Sequence, residues 1–231
     1  MAEQLSKSAP DVAEVMRANR AFLRRAVRFM IEQGITQFLD IGSGIPTVGN
    51  VHEVAQAVNP DTRVVYVDID PVAVAHSRAM LRGKDNTAIL GADLREPDVI
   101  LGSPEVARLI DLTRPVGLLI VSVLHFIDDR SDPQGAVAKL RAAMPSGSLL
   151  GISHAGRDVR PVEEQQFGQV YQQTGNTAIA RTTTEITEFF GEFQLVPPGL
   201  VFLPQWRPDT PSAVDEHPER FIAYAGVGQK P

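Results

Sequence analysis

The sequence contains no cysteine among its 231 residues, which excludes disulfide staples, thiolate nucleophiles and cysteine-ligated metals. It also has no basic surplus. Lysine and arginine number 22 against 28 aspartates and glutamates, giving a formal charge of −6 and a pI near 5.4. Binding of nucleic acid normally leaves a clearly basic footprint, so no nucleic-acid partner is expected. Long apolar runs are missing too. The longest, GLLIVSVLHFI from Gly117 to Ile127, is far shorter than the ~20 residues that span a bilayer, and no membrane partner is expected. The start, MAEQLSKSAPDVAEV, lacks the basic head and apolar core of a secretory leader, so the expected location is cytoplasmic. The five histidines, at 52, 76, 125, 154 and 217, are dispersed without the short ligand spacings of a zinc site. No metal is expected.

What is present is enough apolar material, 43% of residues, to build one domain over residues 1–231. Residues 11 to 33, within an amino-terminal helical segment spanning 10–34, read as a helix. Asp11 and Glu14 have capping-box spacing, and Gly34 stands where a left-handed terminator is wanted. Val15, Leu23, Val27 and Met30 mark its apolar side, while Arg17, Arg20, Arg24, Arg25 and Arg28 read either as attracting an anionic substrate or, the favoured reading, as a solvated face.

Over residues 36–155, short β-rich runs alternate with helical segments, the pattern of βαβ units on a parallel sheet. The strands are expected at Gln37–Ile41, Arg63–Val67, Thr87–Gly91, Val116–Val123 and Ser148–Ser153. Asp70-Pro71, Ser103-Pro104 and Asp132-Pro133 mark helix starts, with proline where its missing N–H costs nothing. After His154 the texture changes. Residues 161 to 174 look helical, Thr182 with Glu185 opens another helix, and β-like pieces near 193–203 and 220–227 suggest an antiparallel hairpin with proline-rich edges.

The stretch FLDIGSGIPTVGN, residues 38 to 50, carries the chemistry. A strand ending in a glycine turn before a helix lets backbone approach a ligand closely, and Gly42 and Gly44 fit that role. Asn50 and Glu53 have capping-box spacing, so the next helix starts near Asn50. The dinucleotide fingerprint needs G-x-G-x-x-G with a helix opening at once, and here Gly49 comes too late. Asp40 would also oppose a pyrophosphate, whereas it suits a ligand bearing an ammonium group. S-adenosylmethionine bears an ammonium and a sulfonium and no phosphate. In YVDIDP, Asp68 ends the second strand, where an acid can accept both ribose hydroxyls. In ILGADLREP, Asp93 ends the third, suited to an adenine amino group with the Leu94 N–H beside it.

With Asp40, Gly42, Gly44, Asp68 and Asp93 in this order, the sequence resembles class I S-adenosylmethionine-dependent methyltransferases. FLDIGSGIPTVGNVHEVAQ, VVYVDIDPVAVAHSRAML and GADLREP are similar, more narrowly, to an S-adenosyl methyltransferase family long carried as a domain of unknown function, with GNVHEVAQ the distinctive phrase. The resemblance implies an α/β fold with a doubly wound, seven-stranded, mostly parallel sheet whose last strand is inserted antiparallel. It implies a cofactor set of Asp40, Gly42, Gly44, Asp68, Ile69, Asp93, Leu94 and Ser122, with S-adenosylmethionine as cofactor and S-adenosylhomocysteine as product. It also implies a YDYxLGGKDN-like segment ahead of the first helix, a pattern this sequence does not contain.

Methyl transfer from a sulfonium is an in-line displacement that proximity and alignment accelerate, and a base is needed only where the acceptor must lose a proton. His125, in SVLHFIDD after the fourth strand, is the expected base. His154, after the fifth strand, and Tyr171 and Trp206, in the acceptor region 156–231, are expected on the substrate side. His52 either touches the cofactor's carboxylate or caps local backbone. The expected partner is a small-molecule methyl acceptor, and a homo-oligomer is compatible with the composition. The alternative reading is a protein that binds S-adenosylmethionine without turnover, as a sensor or partner subunit. A nicotinamide enzyme is opposed by Gly49 and Asp40.

Overall fold

The computed structural model describes residues 12–45, 49–157, 178–210, 214 and 216–231. The chain opens with α1 (Val12–Glu32) and then alternates: β1 (Gln37–Ile41), α2 (Val51–Val58), β2 (Arg63–Asp68), α3 (Pro71–Met80), β3 (Thr87–Gly91), α4 (Pro97–Leu101), α5 (Pro104–Leu109), β4 (Gly117–Val121), α6 (Pro133–Ala143) and β5 (Leu149–Ala155). It ends with α7 (Thr183–Glu188), β6 (Gln194–Leu195), β7 (Val201–Phe202) and β8 (Ala223–Gln229). The strands form one sheet in the order β3-β2-β1-β4-β5-β8-β6, with β7 also on β8. The first five run parallel, and β8 is inserted antiparallel beside β5.

Strand residues alternate between two apolar layers, as a period of two requires. Phe38, Val64, Tyr66, Leu119 and Leu149 pack with Phe22, Val27 and Met30 of α1 and with Val51 of α2 on one face. Leu39, Ile41, Val65, Leu118 and Ile152 pack with Val106 of α5 and with Val137 and Leu140 of α6 on the other. Sheets covered on both faces read as near-continuous apolar runs, and β1 and β4 are buried at every position.

The capping residues act as their sequence implies. Asp70 accepts from the Val72 N–H at 2.8 Å, Ser103 from Val106 at 3.2 Å and Asp132 from Gly135 at 2.9 Å. Thr182 and Glu185 cap α7 reciprocally, and Glu53 takes the Asn50 N–H at 3.0 Å. Asp11 and the helix expected over 161–174 lie outside the described residues.

Two expectations change. The fourth strand stops at Val121, because Ser122 adopts a left-handed φ of 58° and leaves the ladder. The first piece of the terminal hairpin is two strands, β6 and β7, end to end along one edge of β8. Pro197 and Pro198 fall between them, where the absent N–H groups break the pairing. The sheet therefore has eight strands rather than seven.

Candidate functional site

Ligands in open α/β sheets bind beyond the carboxyl ends of the strands, where the strand order reverses. Here that point lies between β1 and β4, and the residues after β1, β2, β3 and β4 surround a cavity of about 1150 Å³. Asp40, Gly42, Gly44, Asp68, Ile69, Asp93, Leu94 and Ser122 all line it. Helix α1 supplies the facing wall through Met16, Arg17, Asn19, Arg20, Leu23 and Arg24. Met16, Ile45, Ile69 and Phe126 are large apolar side chains left exposed, and every one of them lines this cavity.

The glycine loop is fixed by its neighbours. The N–H groups of Gly42 and Ser43 donate to the Val67 carbonyl at 2.7 and 3.2 Å, tying the loop to β2. Gly42 has φ +73°, and a Cβ there would fall 2.1 Å from the Val123 side chain. Only glycine meets both demands. Gly44 has φ +65°, but a Cβ on it would meet nothing within 4 Å, so its bare Cα opens onto empty space. Its N–H donates to Asp68 Oδ2 at 2.6 Å, while Asp68 Oδ1 accepts from the Asp70 N–H at 2.9 Å. The acid of β2 thus holds the loop of β1.

Asp40 is 5% exposed. Burial raises its carboxyl to about 7, with the nearby Arg20 charge opposing the rise and Asp68 adding to it. Asp93 differs. It binds the Arg95 guanidinium and accepts the Arg95 N–H at 2.9 Å, and these bonds hold its carboxyl below the usual range.

The arginines of α1 depart from a simple solvated face. Arg17, Arg20 and Arg24 line the cavity, and Arg20 also donates to the Ile45 carbonyl at 3.3 Å. Arg25 is buried and donates to the carbonyls of Trp206 and Leu203 at 2.7 and 2.8 Å. Arg28 pairs with Asp209. Charge periodicity alone could not distinguish these fates, because the partners lie some 180 residues away. Asn19 closes the wall onto the sheet: it accepts from Ser153 Oγ at 2.6 Å, and that same oxygen accepts the Ser122 N–H at 3.0 Å.

The histidines expected near the acceptor do not reach the cavity lining. In the turn Leu124–Phe126 after β4, Phe126 points outward and lines the cavity while His125 turns inward. His125 packs edge-on against His154, with ring centroids 5.5 Å apart, and burial holds its imidazole well below the usual range. His154 is fully buried. Its Nδ1 lies 2.7 Å from the Ala155 carbonyl, and its Nε2 lies 2.7 Å from Arg181 Nη1. Arginine has no acceptor, so Nε2 accepts and Nδ1 carries the proton. Arg181, unremarked in the sequence, also donates to the carbonyls of Leu124 and Ile127 and pairs with Asp129. It therefore fixes the turn that presents Phe126 and Ile127 to the cavity.

Trp206 is likewise enclosed, edge-on to Phe22 and Phe29 at 5.4 and 5.8 Å, so it stabilises α1 and does not line the cavity. Tyr171 lies outside the described residues. His52 bonds the Tyr66 hydroxyl and Lys84 at 2.7 and 2.9 Å and does not line the cavity. Among the described residues no cluster of histidine and acidic groups could hold a metal ion, and no helix is long and apolar enough to cross a membrane.

This architecture, a mostly parallel sheet with one antiparallel insertion and a glycine loop flanked by strand-end acids, defines a class I methyltransferase fold. A family profile described as S-adenosyl methyltransferase matches residues 1–231, and the chain belongs to that family. The family's cofactor is S-adenosylmethionine. A crystal structure from Thermobifida fusca YX is 42% identical over 99% of this chain and 86% of that one, with a TM-score of 0.88. A DUF574 family protein from Streptomyces avermitilis MA-4680 is 40% identical over 99% and 88%, with a TM-score of 0.90. N-methyltransferase NodS from Bradyrhizobium japonicum WM9, in complex with S-adenosylhomocysteine, shares 14% identity over 96% and 89% with a TM-score of 0.55, a likeness of fold. No curated protein matches the chain.

The residues fit this cofactor on the structure's own terms. Ser43 Oγ is buried at the loop with no hydrogen-bond partner among the described residues, Gly44 opens onto empty space, and the Asp40 carboxyl lines the same cavity.

Proposed function

We propose that the chain transfers a methyl group from S-adenosylmethionine to a small-molecule acceptor, with both held in the cavity at the strand ends. The observation that carries this reading is the convergence of all eight expected cofactor residues on one cavity. Its volume of about 1150 Å³ exceeds the usual range of about 300–1,000 Å³ for a single small ligand, leaving room for an acceptor beside the cofactor.

In this reading Asp40 takes the ammonium group, ionising as it does so, and the backbone of Gly42 to Gly44 lies against the amino-acid portion. Each Asp68 oxygen already accepts one N–H and retains a second lone pair, so the ribose hydroxyls are accepted without loss of the Gly44 bond. Asp93 and the Leu94 N–H address the adenine edge, and Ile69 offers it an exposed apolar surface. The bound cofactor supplies an electrophilic methyl group on sulfur. The chain's contribution is alignment and exclusion of water: α1 closes one wall, and the turn pinned by Arg181 presents Phe126 and Ile127 on the acceptor side. His125 is assigned to the packing of that turn, in place of the role of base that its sequence position suggests.

Calorimetric titration with S-adenosylmethionine, S-adenosylhomocysteine and NAD tests this directly. The adenosyl ligands should bind, NAD should not, and Asp68→Ala should abolish the binding. Binding of NAD alone would sink the reading.

A further inference from the structure

His52, from the phrase GNVHEVAQ, is buried in the first turn of α2 and is bonded at both ring nitrogens. Lys84, exposed on the loop before β3, lies 2.9 Å from Nε2. An ammonium group can only donate, so Nε2 accepts. Burial and the Lys84 charge hold this imidazole below its usual range, against the pull of Glu53, and a neutral ring carries a single proton. That proton is therefore on Nδ1, which donates to the Tyr66 hydroxyl at 2.7 Å. The same phenolic oxygen accepts the His52 backbone N–H at 2.8 Å, one of the donors that a helix start leaves open. With two bonds accepted, Tyr66 has its own proton left to give, and burial keeps that proton on the oxygen. Lys84, His52 and Tyr66 thus form a chain of donors running inward from the surface.

At the inner end of this chain stands Asp40. Tyr66 and Asp40 are register partners on β2 and β1, so their side chains share one face of the sheet. Both line a second, small cavity of about 10 Å³ behind the glycine loop, together with Ser43 and Arg20. That is the space of about one water molecule. Ser43 Oγ is buried at the loop with no hydrogen-bond partner among the described residues. A water here accepts from Tyr66 and donates to Asp40, with Ser43 Oγ as a third partner, and about three partners are what a buried water normally has.

We propose that the small cavity is a water site and that Lys84, His52 and Tyr66 act through it as positioning residues, favouring the ionised form of Asp40 that the cofactor's ammonium group requires. This rests on the methyltransferase reading for the word cofactor, but the chain of donors is measurable without any ligand. The other charged groups that bear on Asp40 are Arg20 of α1, which favours its ionised form, and Asp68 of β2, which opposes it. Glu53 of α2 is taken up by the N–H groups of Gly49 and Asn50. A change at Tyr66 therefore removes the chain and leaves these charges in place.

The test uses the full chain. Ring-nitrogen NMR without ligand, with His52→Gln to assign the signals, should find the imidazole proton on Nδ1. Carbon NMR of the Asp40 carboxyl, assigned with Asp40→Asn, should show its titration midpoint raised by about one pH unit in Tyr66→Phe, and in the same direction by less in Lys84→Met. S-adenosylhomocysteine affinity of Tyr66→Phe should then fall about ten-fold at pH 6 and converge on the parent at about pH 9, where Asp40 is ionised with or without ligand. A tyrosine with a merely structural role would lower affinity equally at both pH values. A proton on Nε2, an unmoved Asp40 midpoint or a loss of affinity that ignores pH would overturn the proposal. Should Tyr66→Phe not fold, Lys84→Met decides the same comparison from the exposed end. Failure of S-adenosylhomocysteine to bind would count against the methyltransferase reading alone, because the two measurements without ligand still decide the chain of donors.

Discussion

Asp68 Oδ2 lies 2.6 Å from the Gly44 nitrogen, so the acid that ends β2 also shapes the loop that ends β1. Removing it should affect a ligand twice, by losing a ribose acceptor and by releasing the loop. A hydrogen bond to a charged group contributes about 1.5–3 kcal/mol, or about ten- to a hundred-fold in affinity. Asp68→Asn, which keeps one acceptor oxygen, should weaken S-adenosylhomocysteine binding by at least that range, and Asp68→Ala by more. Calorimetry that finds either variant within two-fold of the parent would contradict this role.

The two loop glycines should separate stability from binding. A Cβ on Gly42 collides with Val123, whereas one on Gly44 meets nothing within 4 Å. Both positions are left-handed, at a cost to alanine of about 1–2 kcal/mol. Gly42→Ala adds overpacking, about 1–3 kcal/mol more, and should lower the melting temperature clearly. Gly44→Ala should melt closer to the parent yet lose most of its affinity for S-adenosylhomocysteine, since the methyl group enters the ligand's space. Thermal melts and titrations on the two proteins check this, and equal losses of affinity with equal melting points would refute it.

The contrast also shows what the sequence made legible. Gly42, Asp68 and Asp93 could be placed because strand ends and proline-marked helix starts are local signals, set by hydrogen bonds within a few residues. The inward turn of His125 was not legible. It depends on Ser122 leaving the ladder at φ 58° and on Arg181, 56 positions further along the chain than His125, which bonds the Leu124 carbonyl and the His154 ring that His125 packs against. The arginines of α1 were ambiguous for the same reason. Arg17 and Arg25 lie on one helix, yet one lines the cavity and the other bonds two carbonyls of the segment 203–206, a difference made by distant chain. Trp206 was misplaced because an aromatic ring suits a pocket and a core equally well by composition.

Asp40 should couple cofactor binding to proton release. Its carboxyl is raised to about 7 by burial, above the ~3.9 of an unfolded aspartate. The free fold therefore holds this proton at pH 6, and an arriving ammonium group favours its loss. S-adenosylhomocysteine affinity should rise with pH up to about 7, with up to about one proton released per ligand below that pH. Titrations at pH 6.5 in two buffers of different ionisation enthalpy should give different heats for the parent and the same heat for Asp40→Asn. A parent protein insensitive to buffer would rule the coupling out.

His154 should make the fold acid-sensitive, against the direction of Asp40. Burial depresses its imidazole to about 4, with the Ala155 carbonyl opposing and the Arg181 charge reinforcing the fall. The unfolded chain, with a histidine near 6.5, then binds the proton first. Stability from the neutral ring is fully present above pH 6.5 and is lost as pH falls toward about 4, by up to about 3 kcal/mol. His125 is shifted the same way and adds to the loss. Asp40, whose folded value is raised, loses stability as pH rises through the same window and so masks part of the slope. The sharp test is urea unfolding of Asp40→Asn between pH 7 and 4.5, where stability should fall more steeply with acid than in the parent. Adding His154→Gln should reduce that slope while lowering stability at pH 7, because Arg181 loses the acceptor geometry it now has. An undiminished slope in the double variant would assign the acid sensitivity elsewhere in the fold.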